Sequence, residues 1–299
     1  MENALHLGVD IGGTKVAFRV EAGVRCVDES SFAWGPRHSA AQDLAQLAGH
    51  VAGLRSRLGA PLRAVGVAMP GTVGPDGRIT AWPSRPEWNG LALDASLRAL
   101  FPEAAVAWAD DGDLGALAEA HASGCEDLLY LGVGTGIGGG LVLRGALCPG
   151  LGRGSFEIGH VIVDMGGAHC VCGRRGCLQA IASGPATLRR AAELRGAPAS
   201  FEDVRRGLDG EEPWAVTALE RTSRALAAAV SGVQELVQPK LVLIGGGFAA
   251  GIPGLVGTVS GHLAELARPG RPAPPVEPAA LGGLSSLRGA VSLARLVAP

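Results

Sequence analysis

The sequence predicts an α/β protein of two similar domains, and two observations carry that expectation. The first is an internal repeat. LHLGVDIGGTKVAFR, from Leu5, and LYLGVGTGIGGGLVLR, from Leu129, each run an LxLGV strand into a Gly-rich turn and out along a second strand. Two copies of one phosphate-type hairpin suggest two like domains facing a nucleotide between them. The second is the alternation, through the rest of the 299 residues, of short apolar runs with stretches of helical apolar spacing. That length also favours two cores over one.

The elements follow in order. In the first hairpin the turn carries Asp10, Gly12, Gly13, Thr14 and Lys15. Its glycines remove side chains so that backbone N–H groups can face phosphate oxygens, and Thr14 can add a hydroxyl. The spacing is neither GxxxxGK[ST] nor a GxGxxG that opens a helix. Residues 39–58 have helical spacing, and LRAVGVAMPGTVGPDGRI gives a strand that ends in a Pro-Gly turn. AWPSRPEWNG is expected to be an irregular loop on the substrate side. A short helix and the strand AAVAWA lead to Asp110, Asp111, Gly112 and Asp113, then to the helix LGALAEAHASG. Carboxylates are favoured at a helix start by its N–H groups and dipole, so capping is the plain explanation for any one of them.

After the second hairpin comes EIGH, nine further residues, and CVCGRRGCLQ. Cys170, Cys172 and Cys177 with His160 make a Cys3His set at metal-ligand spacing. Four N/S ligands on short loops suit tetrahedral zinc, and a closed set is structural because no position is left for an activated water. Residues 185–237 read as amphipathic helices with a break near Pro198. KLVLIGGGFAAG is a buried strand running into Gly245, Gly246 and Gly247, where a backbone can approach a ligand. ARPGRPAPPVEPAA reads as a Pro-rich connector, and LSSLRGAVSLARLVA as a closing helix.

Composition excludes several partners. The formal net charge is −2 with no basic run, which argues against nucleic acid and against anionic membrane. No apolar run reaches the length of a membrane span. MENALHLGVD lacks the layout of a secretory signal, and Cys26, Cys125 and Cys148 show no pairing pattern, so a cytoplasmic protein is expected.

With these residues in place the chain resembles the ROK family of sugar kinases. The match runs through DIGGTK, GVAMPGTV with Gly71, Asp110-Asp111, GTGIGGG, EIGH, CVCGRRGCLQ and IGGG. The resemblance implies the two-domain actin/hexokinase-like (ribonuclease H-like) α/β fold with a cleft between the domains. Residues 1–110 with 285–299 would form the small domain, and 111–284 the large one bearing the zinc loop. It also implies ATP as phosphoryl donor, Mg²⁺, a structural Zn²⁺, a hexose or amino-hexose substrate, domain closure on the sugar, and a homodimer. Some family members are repressors with an N-terminal helix-turn-helix, for which the few residues before the first strand leave no room.

By the same resemblance Asp111 is the general base and Asp10 holds Mg²⁺ through water. Gly12, Gly13, Thr14, Lys15, Gly134, Thr135 and Gly136 serve the phosphates, and Gly245 and Gly246 the adenosine. Gly71, Ser84, Asp110, Asp111, Glu157, His160 and Gln179 serve the sugar, with His160 also a zinc ligand. Four positions depart from the family pattern. Asp110 replaces an Asn, Gln179 a Glu, Ser84 an Asn and Phe156 a Gly. Two adjacent carboxylates repel and disturb the base unless a cation relieves them. An ammonium about 4 Å from Asp110 gains roughly 4 kcal/mol before desolvation, and nets about 1.5–3 as a charge-assisted hydrogen bond. The expected substrate is therefore an amino-hexose with a free amine near C3, such as kanosamine (3-amino-3-deoxy-D-glucose), phosphorylated at O6. Glucokinase and N-acetylmannosamine kinase are the alternatives.

Overall fold

The structure is a computed structural model and describes residues 4–35 and 39–299. The chain divides into two compact units. The first comprises Met1–Ala118, Pro149–Ser155 and Leu284–Pro299, and the second Glu119–Cys148 and Phe156–Gly283. Against the expected divisions after 110 and 284, the first unit keeps the opening turns of the acidic helix and takes in seven residues, 149–155.

In the first unit β1 (Leu5–Ile11) and β2 (Lys15–Ala22) form the expected hairpin, paired from Leu5↔Ala22 to Ile11↔Val16. A third strand, β3 (Arg25–Ala33), extends it antiparallel at the sheet edge. Helix α1 (Ala40–Arg57) starts at a capping box in which Ser39 and Gln42 satisfy each other's backbone N–H groups. Then β4 (Leu62–Ala68) adds parallel to β1. The two-stranded ribbon of β5 (Thr72–Val73) and β6 (Ile79–Ala81) follows, then helix α2 (Leu93–Leu100) and β7 (Ala105–Ala109), which is parallel to β4. The sheet order is β3-β2-β1-β4-β7. Helix α3 (Asp111–Ser123) leaves its end.

The stretch 81–90 is the expected irregular loop, with its tryptophans turned into the core. It holds the 3₁₀ turn Pro86–Trp88, and Trp82 and Trp88 are 1% and 0% exposed. The two rings meet edge to face, with centroids 5.0 Å apart, so two core anchors pin a stretch that is otherwise turns and largely exposed.

In the second unit β8 (Leu128–Val133) and β9 (Ile137–Leu143) form the repeated hairpin, and β10 (Ala146–Cys148) extends it. Helices α4 (Leu178–Ala182), α5 (Gly184–Arg195), α6 (Phe201–Asp209) and α7 (Pro213–Val237) follow. Strand β11 (Leu241–Gly245) joins parallel to β8. After α8 (Gly247–Gly251) and α9 (Leu255–Glu265), β12 (Val276–Pro278) pairs with β11 inside the stretch expected to be a plain connector. The order is β10-β9-β8-β11-β12, strand for strand that of the first sheet. Helix α7 buries Leu226, Val230 and Val233 in a core shared with Leu129, Leu131 and Val242.

The closing helix α10 (Ser285–Val297) returns to the first unit and lies on β1, β4 and β7. Its approach depends on a missing side chain, since a Cβ on Gly66 would stand 2.0 Å from the Ala290 carbonyl oxygen. Among the described residues no helix is long and apolar enough to cross a membrane.

Candidate active site

At the end of β1, Asp10 accepts a hydrogen bond from the Ser286 hydroxyl at 2.6 Å. Burial holds the Asp10 carboxyl above the ordinary carboxylate range, and Ser286 and Lys15 oppose that rise. In the adjoining turn the Gly12 N–H is committed to the Lys15 carbonyl at 3.0 Å. The amides of Gly13 and Thr14 take no partner among the described residues. Ser84 packs directly on this turn, because a Cβ on Gly13 would come within 2.5 Å of its Oγ. Lys15 is exposed at the start of β2.

On the same sheet edge, Gly71 follows β4, whose continuation is tied to β7 by the Met69 N–H donating to Ala109 O at 3.1 Å. Asp110 then caps α3, with Oδ1 accepting from the Gly112 N–H at 3.0 Å and its carbonyl accepting from Leu114 N–H at 3.0 Å. Asp111 is the first residue of that helix. Both carboxylates thus sit where helix amides and dipole favour negative charge. Asp113 points inward, 5% exposed.

The second unit repeats the turn. Gly134 N–H donates to Gly136 O at 2.9 Å, and Gly134 O accepts from the Gly184 N–H at 2.9 Å. Thr135 and Gly136 lie at the tip. Gly246, at φ 89°, lets β11 end against this strand, since a Cβ there would lie 2.5 Å from the Val133 backbone. Beyond it opens a cavity of about 410 Å³ between β11, α8 and α9, lined by Gly245, Gly246, Ala250, Val256, Pro278 and Gly283 among others. Its walls are Gly, Ala, Pro and aliphatic residues, which suits the flat apolar faces of a nucleobase.

Glu157 is exposed and precedes the 3₁₀ turn Ile158–His160. His160, Cys170, Cys172 and Cys177 bring their ligand atoms within 4.8 Å of one another. Cys170 Sγ stands 3.8 Å from His160 Nδ1, and Cys172 Sγ stands 3.7 Å from Cys177 Sγ. A tetrahedral zinc with bonds of about 2.3 Å to sulfur requires ligand separations near 3.8 Å, so the donor set fits that ion. Backbone and side-chain donors of Arg174 pull the exposed Cys172 thiol down to about 6, and burial pushes the Cys177 thiol up to about 12. A bound dication would hold all three as thiolates. Nδ1 is the ring nitrogen turned to the cluster, so Nε2 is the one that remains for other partners. Gln179, on α4, donates its amide to Cys170 Sγ at 3.4 Å.

The expected residues therefore fall into two sets. The first unit gathers Asp10, Gly12, Gly13, Thr14, Lys15, Gly71, Ser84, Asp110 and Asp111. The second gathers Gly134, Thr135, Gly136, Glu157, His160, Gln179, the three cysteines, Gly245 and Gly246.

The pattern that describes the ROK family matches residues 6–296. The chain belongs to the ROK family. Among ROK structures, a hexokinase from Thermus thermophilus superposes with a TM-score of 0.88 at 30% identity, covering 98% of each chain. A ROK glucokinase from Streptomyces griseus, solved with glucose and AMPPNP, gives 0.78 at 26% identity over 98% of this chain and 100% of its own. The two-domain actin-like fold of ROK sugar kinases is thus shared here. In sequence, the kanosamine kinase of Amycolatopsis mediterranei is 72% identical over 298 residues, 100% of this chain and 98% of that protein. A Thermotoga maritima glucokinase is 32% identical over 207 residues, 62% of this chain and 64% of its own.

Four residues near these sets carry no motif that could have marked them. Ser286 reaches Asp10 from the opposite end of the chain, and Trp34, Asp43 and Arg85 gather behind the first turn. Only the burial of an Arg in a Trp-rich stretch could have drawn notice, and burial is not visible in one sequence.

Proposed function

We propose that the chain is an ATP-dependent hexose 6-kinase whose favoured substrate is kanosamine, an amino-hexose with a free amine at C3, giving the 6-phosphate. The observation that carries this reading is the full-length likeness to a kanosamine kinase, together with the acidic pair Asp110-Asp111. Asp111 accepts the proton of the sugar O6 hydroxyl as O6 bonds to the γ-phosphorus and the bond to the ADP oxygen breaks. Asp110, with one oxygen engaged by the helix amide, presents its charge to the substrate ammonium. Gly71, Ser84, Glu157, His160 through Nε2, and Gln179 orient the sugar hydroxyls.

The amides of Gly13 and Thr14 and the turn of Thr135 and Gly136 receive the phosphates, and the Gly245–Gly246 cavity takes the base. Mg²⁺, held through Asp10, would offset phosphate charge, and a zinc on His160 and the three cysteines would clamp the turn that carries Glu157.

The test compares specificity constants for kanosamine and glucose. Kanosamine is expected to be preferred, and Asp110→Asn is expected to lower that preference by about 10- to 150-fold, the worth of a charge-assisted hydrogen bond. Glucose preferred by the wild type, with a ratio unmoved by Asp110→Asn, would overturn the reading in favour of a glucokinase.

A further inference from the structure

Three consecutive carbonyls of the first phosphate turn are gripped from behind. The Trp34 indole N–H donates to Gly12 O at 2.8 Å, Arg85 Nε donates to Gly13 O at 3.1 Å, and the Trp34 backbone N–H donates to Thr14 O at 3.0 Å. A trans peptide points its carbonyl and its amide in opposite directions. Fixing Gly12 O therefore aims the Gly13 amide the other way, and fixing Gly13 O does the same for the Thr14 amide. Those two amides are the ones that take no partner among the described residues.

The grip is itself held rigid. Arg85 is 5% exposed and its Nη1 donates to Asp43 Oδ2 at 2.5 Å, while the Trp88 indole donates to the same oxygen at 2.8 Å. Asp43 is 1% exposed and Trp34 8%. The guanidinium lies over the Trp34 ring, 4.5 Å from its centroid, so both donors move together. A buried ion pair is poor value as mere stabilisation compared with apolar packing, which turns attention to what it positions. A cation on Gly13 O also polarises that peptide and makes the Thr14 amide a stronger donor.

We propose that Trp34 and Arg85, fixed by Asp43 and Trp88, are positioning residues that aim the Gly13 and Thr14 amides at the phosphates of the nucleotide. The proposal rests on the reading of this turn as a phosphate cradle, and the experiment separates the two. Amide resonances of the isotopically labelled full chain are followed on adding Mg²⁺ and AMPPNP. Calorimetry then gives AMPPNP and sugar affinities for the wild type, Trp34→Phe, which keeps a ring but no N–H, and Arg85→Lys, which keeps the charge but not the Nε donor.

The expected result is that the Gly13 and Thr14 amides shift and both variants bind AMPPNP roughly tenfold more weakly, the scale of one lost hydrogen bond, with sugar affinity kept. Shifted amides with wild-type AMPPNP affinity in both variants would overturn the positioning role and leave the cradle standing. Unshifted amides would overturn the cradle and the proposal with it. Equal loss of nucleotide and sugar affinity in both variants would reduce the grip to fold maintenance and overturn the proposal.

Discussion

Gln179 joins two parts of the second unit: its Nε2 donates to Cys170 Sγ at 3.4 Å, while a Cβ on Gly136 would stand 3.2 Å from its Oε1. Its amide N–H faces the Cys170 sulfur, as would suit a zinc-bound thiolate, while its oxygen lies beside the second Gly-rich turn.

Gln179→Glu replaces that donor with a carboxylate beside a thiolate. Zinc retention is expected to weaken by roughly 10- to 100-fold, measured by competition with a chromophoric chelator. The wild type should hold one zinc per chain. Folded, active protein with none would remove the cluster from the account.

Removing the donor to Asp10 is expected to shift the pH dependence of turnover. Burial already raises this carboxyl, and Ser286 works against the rise. Ser286→Ala therefore raises it further, and because Mg²⁺ is to be held by the ionised form, the acid limb of kcat/KM moves to higher pH. The stability sign agrees. A buried carboxyl of raised pKa costs nothing below its unfolded value and destabilises increasingly as pH climbs through the folded one, so the variant should lose more stability at neutral than at acid pH. Ser286→Thr should restore the profile, and an alanine variant with an unmoved acid limb would free Asp10 of this role.

Asp111→Ala should lower kcat by about 10²- to 10⁴-fold, the usual worth of a general base, while sugar binding stays measurable by calorimetry. Near-wild-type turnover would assign the base elsewhere.

Gly66→Ala tests the seating of the closing helix. With the Ala290 oxygen 2.0 Å from the added Cβ, helix and sheet must part, and denaturant unfolding is expected to show a loss of about 3 kcal/mol. An unchanged midpoint would mean that the helix shifts at no cost.

Both hairpins were legible because LxLGV and its Gly-rich turn pack one local rule into a dozen residues, and the shared strand order of the two sheets is that repeat written in three dimensions. The helix over residues 39–58 was legible in its apolar spacing, and the structure adds the Ser39–Gln42 capping box at its start. Strand β3 was not seen because it lies at a sheet edge, and its residues, RCVDESSFA, are half exposed and charged. Strand β12 hid in a Pro-rich run for a related reason, since an edge strand tolerates the proline that a central one would not. At the site, the Cys3His spacing is local and was read directly. Asp43 and Arg85 lie 42 residues apart and Asp10 and Ser286 276 apart, and no single-chain pattern links residues so distant.

Helix α10 covers the sheet whose first strand opens the described chain, and residues 119–283 lie wholly outside that unit save for 149–155. During synthesis the α10 face of the β1–β7 sheet is therefore covered only after residues 119–283 of the second unit have been made. Until α10 is made, Gly8 and Gly66 lack the helix whose backbone lies against them.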